Sequence, residues 1–156
     1  MVSAKTRVSG KWNRTATPQE LRQQGKFPEF LHVTWGIIEL RADDSILKAY
    51  SLSSQDTRAD PLLDLSVGRK LLLFRRMGVL SIEDYNIVLE FKTRRNNLFH
   101  KGGLFVLSLT NEEKEQIMDV GLRAIAIMEN LTNLLGERQG GRYVYLPINK
   151  EANYDK

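Results

Sequence analysis

Apolar residues recur along this chain at helical spacing, in runs separated by short polar breaks. Thr17-Pro18-Gln19-Glu20 is a capping box with proline at the first helical position, so a helix begins there or restarts after Gly25. Phe27, Phe30, Leu31, Trp35 and Ile38 then form one apolar stripe, which Ile46, Leu47 and Tyr50 can extend. The polar stretch from Ser51 to Asp60 reads as a loop, and Asp60-Pro61 opens a short turn. Ser66 caps the next pattern, built on Val67, Leu71, Leu72 and Phe74, and Gly78 stops it. Ser81 starts another at once, with Tyr85, Val88, Leu89 and Phe99 expected on its inner side. Thr110-Asn111-Glu112-Glu113 is a second capping box. Ile117, Gly121, Ala124, Met128, Leu131 and Leu135 follow on a four-three seam closed by Gly136. Small residues at Gly121 and Ala124 invite another helix to approach closely.

Two spans, Leu104 to Leu109 and Tyr143-Val144-Tyr145-Leu146, lean towards β but are too short to separate strand from buried loop. No internal repeat is visible. The expected architecture is an all-α bundle of four or five helices over residues 17–136. It lies between a flexible basic tail, 1–16, and a C-terminal tail, 137–156.

Composition adds bounds. A chain of 156 residues is long enough to bury one core without staples. It has no cysteine, which excludes a disulfide framework and a thiolate zinc site. No apolar run approaches the roughly 20 residues that span a bilayer, and the N-terminus lacks the apolar core of a signal peptide. These features predict a cytoplasmic protein without a membrane partner.

The net charge of +4 matters less than its distribution. Residues 1–16 hold four basic residues and no acid. Residues 69–101 hold Arg69, Lys70, Arg75, Arg76, Lys92, Arg94, Arg95 and Lys101 against Glu83, Asp84 and Glu90, leaving the rest of the chain net acidic by five. One basic face on an acidic body suits a polyanion, so these basic residues are candidates for nucleic-acid binding.

Inside that segment, Arg95-Asn96-Asn97-Leu98-Phe99-His100 joins two chemistries. Arginine holds phosphate through a charged fork of hydrogen bonds, and histidine as a residue type moves protons near neutral pH. His32 has no basic neighbour at useful spacing and reads as a helix-face residue, while Arg94 also satisfies a loose spacing to His100. Five residues turn an α-helix roughly 140° beyond a full revolution, so Arg95 and His100 cannot share a face of an unbroken helix. Either the helix ends between them or the pair is assembled from two chains.

Leu65-Ser66-Val67-Gly68-Arg69-Lys70-Leu71, Gly78-Val79-Leu80, Tyr85 and the Arg95-to-His100 motif form an ordered series. The series resembles the HEPN superfamily, small α-helical domains with an Arg-x4-6-His motif near the end of a core helix and a polar residue directly after the arginine. The similarity covers about residues 27 to 135. Locally it is also similar to the mannitol-operon-repressor type, and the tyrosine that some toxin-type members carry two residues after the histidine is Gly102 here.

The resemblance implies a homodimer with both motifs lining one cleft, and three hypotheses for the function stand beside it. The first is a metal-independent endoribonuclease, a toxin or defence effector checked by a protein antitoxin. In it His100 takes the 2′-hydroxyl proton or protonates the departing 5′-oxygen, Arg95 stabilises the phosphate, and Asn96 orients the phosphate or fixes the histidine, with no cofactor. The second is a non-catalytic regulator whose basic cleft binds RNA, a nucleotide or a regulatory protein. The third is a helical dimerisation module.

Overall fold

Each major helix but one begins where a side chain takes up amide groups that the helix itself leaves orphaned. In the computed structural model, which describes residues 7–8, 11–12, 16–52, 55–100, 108–136, 138–139 and 142–143, Thr17 caps α1 (Pro18–Gln23). Its Oγ1 accepts from the Glu20 amide at 3.2 Å while Glu20 accepts from the Thr17 amide at 2.8 Å. Gly25, at φ +68°, makes the turn into α2 (Phe27–Ala49), so both starting points read in the sequence are used. Asp56 caps a 3-10 turn, Thr57–Ala59, and α3 (Asp60–Leu63) follows, so helical turns occupy the end of the expected loop. Ser66 caps α4 (Val67–Arg76), and Gly78 at φ +75° reverses the chain. The Ser81 hydroxyl accepts from the Asp84 amide at 3.1 Å as α5 (Ile82–His100) begins. The Thr110–Glu113 capping box opens α6 (Asn111–Leu135).

The fold is an all-α bundle. Among the described residues, extended pairing is confined to two short antiparallel pairs. These join β1 (Arg7–Val8) to β2 (Lys11–Trp12) and β3 (Arg138–Gln139) to β4 (Arg142–Tyr143). The other residues of 1–15 and of 137–156, including 144–146 of the second ambiguous span, lie outside the described residues. So do Lys101 and 102–107, while Leu109 is half-buried against the core.

Gly121 of α6 sets the packing. The rings of Phe30 from α2 and Phe91 from α5 both press against it, as its lack of a Cβ allows. Further along, Ser45 of α2 bonds Thr132 of α6 at 3.0 Å, so α2 and α6 run in the same direction. Leu98 of α5 lies near Leu109 and Ile117, so α5 runs against α6. Gly68 sits beside Lys92, and Arg75 lies over the Tyr85 ring, which makes α4 and α5 an antiparallel hairpin.

Phe30, Ile38, Ile46, Leu71, Phe74, Val88, Phe91, Met128 and Leu131 are fully buried where these helices meet. Each is worth roughly 1.5–3 kcal/mol of burial, which makes this cluster the main favourable term in the fold. Arg22 ties α1 to α6 through Glu115 and Asp119, both at 2.6 Å. Hydrogen bonding to Asp119, then Glu115, holds its guanidinium above the ordinary arginine pKa.

Two expectations need correction. Phe99 is not on the inner face of α5: it is 50% exposed, and Phe91 and Leu98 take the inward positions beside Val88. Lys70 is not part of a solvent-facing basic surface. It is 4% exposed, and its Nζ donates to Asp43 of α2 and to the Leu63 carbonyl, each at 2.6 Å. A buried ammonium requires such partners, so its charge is spent on holding α4 against α2 and α3.

Candidate functional site

The end of α5 carries the candidate chemistry. The helix is continuous from Ile82 to His100, so it does not break between Arg95 and His100. Within one chain the two side chains leave the helix on different faces. His100 is exposed at the last residue of α5.

Arg95 is half-buried, and its guanidinium contacts two aromatic rings. Its guanidinium carbon is 5.4 Å from the Trp35 ring centroid, on α2, and 4.6 Å from that of Phe99, one turn further along α5. Both are cation–π contacts, which leave the N–H groups of the guanidinium free to hydrogen-bond elsewhere. One edge donates from Nη1 to Asn96 Oδ1 at 3.1 Å. Nε is buried and has no hydrogen-bond partner among the described residues. Desolvation pushes the Arg95 pKa below the ordinary arginine value, and the charge of Glu39 opposes that shift. Glu39 is itself held by the Trp35 indole, which donates to its Oε1 at 2.8 Å.

Arginine has no acceptor atom, so the Asn96 atom facing it must be the oxygen. The amide orientation is thereby fixed and presents the two Nδ2 hydrogens away from Arg95. Asn96 and His100 are one turn apart on one face of α5. Asn96 thus connects the arginine to the face that carries the histidine.

The surrounding basic residues divide into two groups. Lys92 is half-buried beside Gly68, next in sequence to the exposed Arg69, and Arg94 pairs with Glu90 at 2.7 Å. These lie towards the His100 end of the hairpin. Arg75 and Arg76 end α4 at the opposite end, where Arg75 covers Tyr85. Tyr85 and His100 are fifteen residues apart on α5, roughly 22 Å along the axis. The basic segment is therefore not one patch.

Trp35, Glu39 and Phe99 were not singled out as site residues by sequence reasoning. Trp35 reads as core, and 8% exposure bears that out, yet it also supports the arginine. The signal is a contact between α2 and α5 that spacing within either helix cannot reveal. Phe99 stands four residues after Arg95, and that spacing did carry the contact.

A separate open groove of about 200 Å³ runs between α5 and the start of α6, lined by Arg94, Asn97, Leu98, Leu109, Glu113 and Ile117. It lies beside Arg94 and Asn97 and does not include Arg95, Asn96 or His100. Among the described residues no group of three or more His, Asp or Glu side chains is placed to hold a metal ion, and no helix is long and apolar enough to cross a membrane. No family model matches the chain, and neither a curated protein nor a solved structure matches it.

Proposed function

We propose that this protein is an endoribonuclease that needs no metal, with Arg95 and Asn96 of one copy working beside His100 of a second. The observation that carries this reading is the state of Arg95: half-buried, in cation–π contact with Trp35 and Phe99, and bonded at one edge to Asn96. A structural arginine usually ends on carboxylates, as Arg22 does here. Arg95 ends on an amide and two aromatic rings, with only the charge of Glu39 acting from a carboxylate and with Nε lacking a partner among the described residues. A partly desolvated cation with a fixed orientation suits charge that develops on a phosphate, because weak screening strengthens the interaction.

In the proposed step His100 accepts the proton of the ribose 2′-hydroxyl. The 2′-oxygen attacks phosphorus, the bond from phosphorus to the 5′-oxygen breaks, and a water molecule protonates that oxygen and is reprotonated by the His100 imidazolium, which returns to its neutral form. The products are a 2′,3′-cyclic phosphate and a 5′-hydroxyl. Arg95 and the Asn96 Nδ2 donors hold the non-bridging oxygens while their charge grows. The continuous helix separates Arg95 from His100 in one chain, which supports a pair assembled across two copies. The ordered series from Leu65 to His100 that resembles HEPN domains points the same way.

That separation also favours a second reading, a regulator that binds RNA at the same helix end without cutting it. Incubating pure protein with total RNA in excess chelator, beside His100→Ala, distinguishes the two. Cleavage by wild type and not by the variant supports the nuclease; binding without cleavage by either supports the regulator.

A further inference from the structure

We infer that Phe99 is a stacking platform for an unpaired nucleobase, so that the site selects single-stranded over duplex RNA. The inference rests on the reading of Arg95 and His100 as an RNA site and names the form of RNA it takes. Phe99 is 50% exposed although it closes a helix whose other apolar positions nearby turn inward, as Leu98 does at 3%. Its ring is not loose: the Arg95 guanidinium lies over it at 4.6 Å, and Trp35 backs that guanidinium at 5.4 Å. The arginine lies over the ring, and half of the residue's surface remains exposed.

A flat aromatic surface in contact with the Arg95 cation fits a nucleobase attached to a phosphodiester. A base would stack on the part of the Phe99 ring that Arg95 does not cover. Phe99 stands four residues after Arg95 and three after Asn96, so the sugar and phosphate of that nucleotide would reach the residues proposed to hold the phosphate. A base held in a duplex cannot offer its face to the ring without leaving its stack. Purines, which overlap the ring more, should bind better than pyrimidines.

The test uses the full chain and a fluorescent twelve-nucleotide oligoadenylate with 2′-O-methyl groups, which cannot be cleaved through the 2′-oxygen. The same strand in a duplex and inorganic polyphosphate serve as comparisons. Phe99→Leu keeps an apolar side chain and removes the aromatic face; because Phe99 is exposed, the variant should fold as wild type by circular dichroism.

Single-strand affinity should fall on the order of tenfold in Phe99→Leu, with duplex and polyphosphate binding unchanged and with recovery in Phe99→Trp. Wild-type affinity in Phe99→Leu, an equal loss for polyphosphate, or conversion of a dimer to monomers with no change in single-strand affinity would each overturn the platform while leaving the RNA reading intact. Absence of wild-type binding to the single strand at low salt would overturn both.

Discussion

The Trp35 indole supports the Arg95 guanidinium 5.4 Å from its ring centroid, and the same indole donates to Glu39 at 2.8 Å. One residue of α2 thus sets the orientation of a cation on α5. Trp35→Phe keeps a ring beneath the guanidinium and loses the indole hydrogen bond, which should cost about 1 kcal/mol in urea unfolding. Trp35→Leu removes the ring and leaves space in the core, for about 2–4 kcal/mol. RNA cleavage should survive better in the phenylalanine variant; equal loss in both would show that the stack does not position Arg95.

Lys70 depends on Asp43 more than Asp43 depends on Lys70. The lysine is buried and the carboxylate is 44% exposed, so only the carboxylate can recover water when the pair is broken. Asp43→Ala should destabilise the fold by about 3 kcal/mol, and Lys70→Met by clearly less. Equal losses in denaturant titrations would contradict this asymmetry.

Two helical glycines should respond to alanine with opposite signs. A methyl group at Gly121 would stand 2.8 Å from the Phe91 ring and 2.9 Å from the Phe30 ring, so Gly121→Ala should cost about 1–3 kcal/mol despite its better helix propensity. Gly36 is exposed with nothing within 4 Å of such a methyl, and Gly36→Ala should stabilise α2 by roughly 0.5–1 kcal/mol. Melting curves of the two variants would settle both signs.

The division of the basic residues has a consequence for the proposed binding of RNA. Arg69→Glu, at the end of α4 towards Lys92, should weaken single-strand affinity and reduce the logarithmic salt slope by about 1. Arg76→Glu, at the far end of the hairpin, should do so much less. Equal effects on titration at two or more salt concentrations would argue for one extended surface.

Much of the fold was legible because local chemistry specifies it. Thr17, Ser66, Ser81 and Thr110 begin helices, Gly25 and Gly78 reverse the chain, and the seam from Ile117 to Leu135 is buried as its spacing indicates. What stayed hidden depends on partners distant in sequence. Lys70 counts as surface charge until α2 supplies Asp43, and Phe99 counts as core until Phe91 and Leu98 take the inner positions. Within the site, helical geometry separated Arg95 from His100 in advance, and the unbroken α5 removes the alternative of a helix end between them. The Trp35 support could not be read from either helix alone.

The most direct measurement is a mixing experiment. Arg95→Ala and His100→Ala proteins, each alone, should fail to cleave RNA that wild type cuts in excess chelator. Subunit exchange between them should recover part of the activity, because each mixed dimer regains one intact site from the arginine of one copy and the histidine of the other. Recovery in verified heterodimers is the predicted result. Heterodimers that stay inactive, or a wild-type protein that remains monomeric at micromolar concentration, would contradict the account.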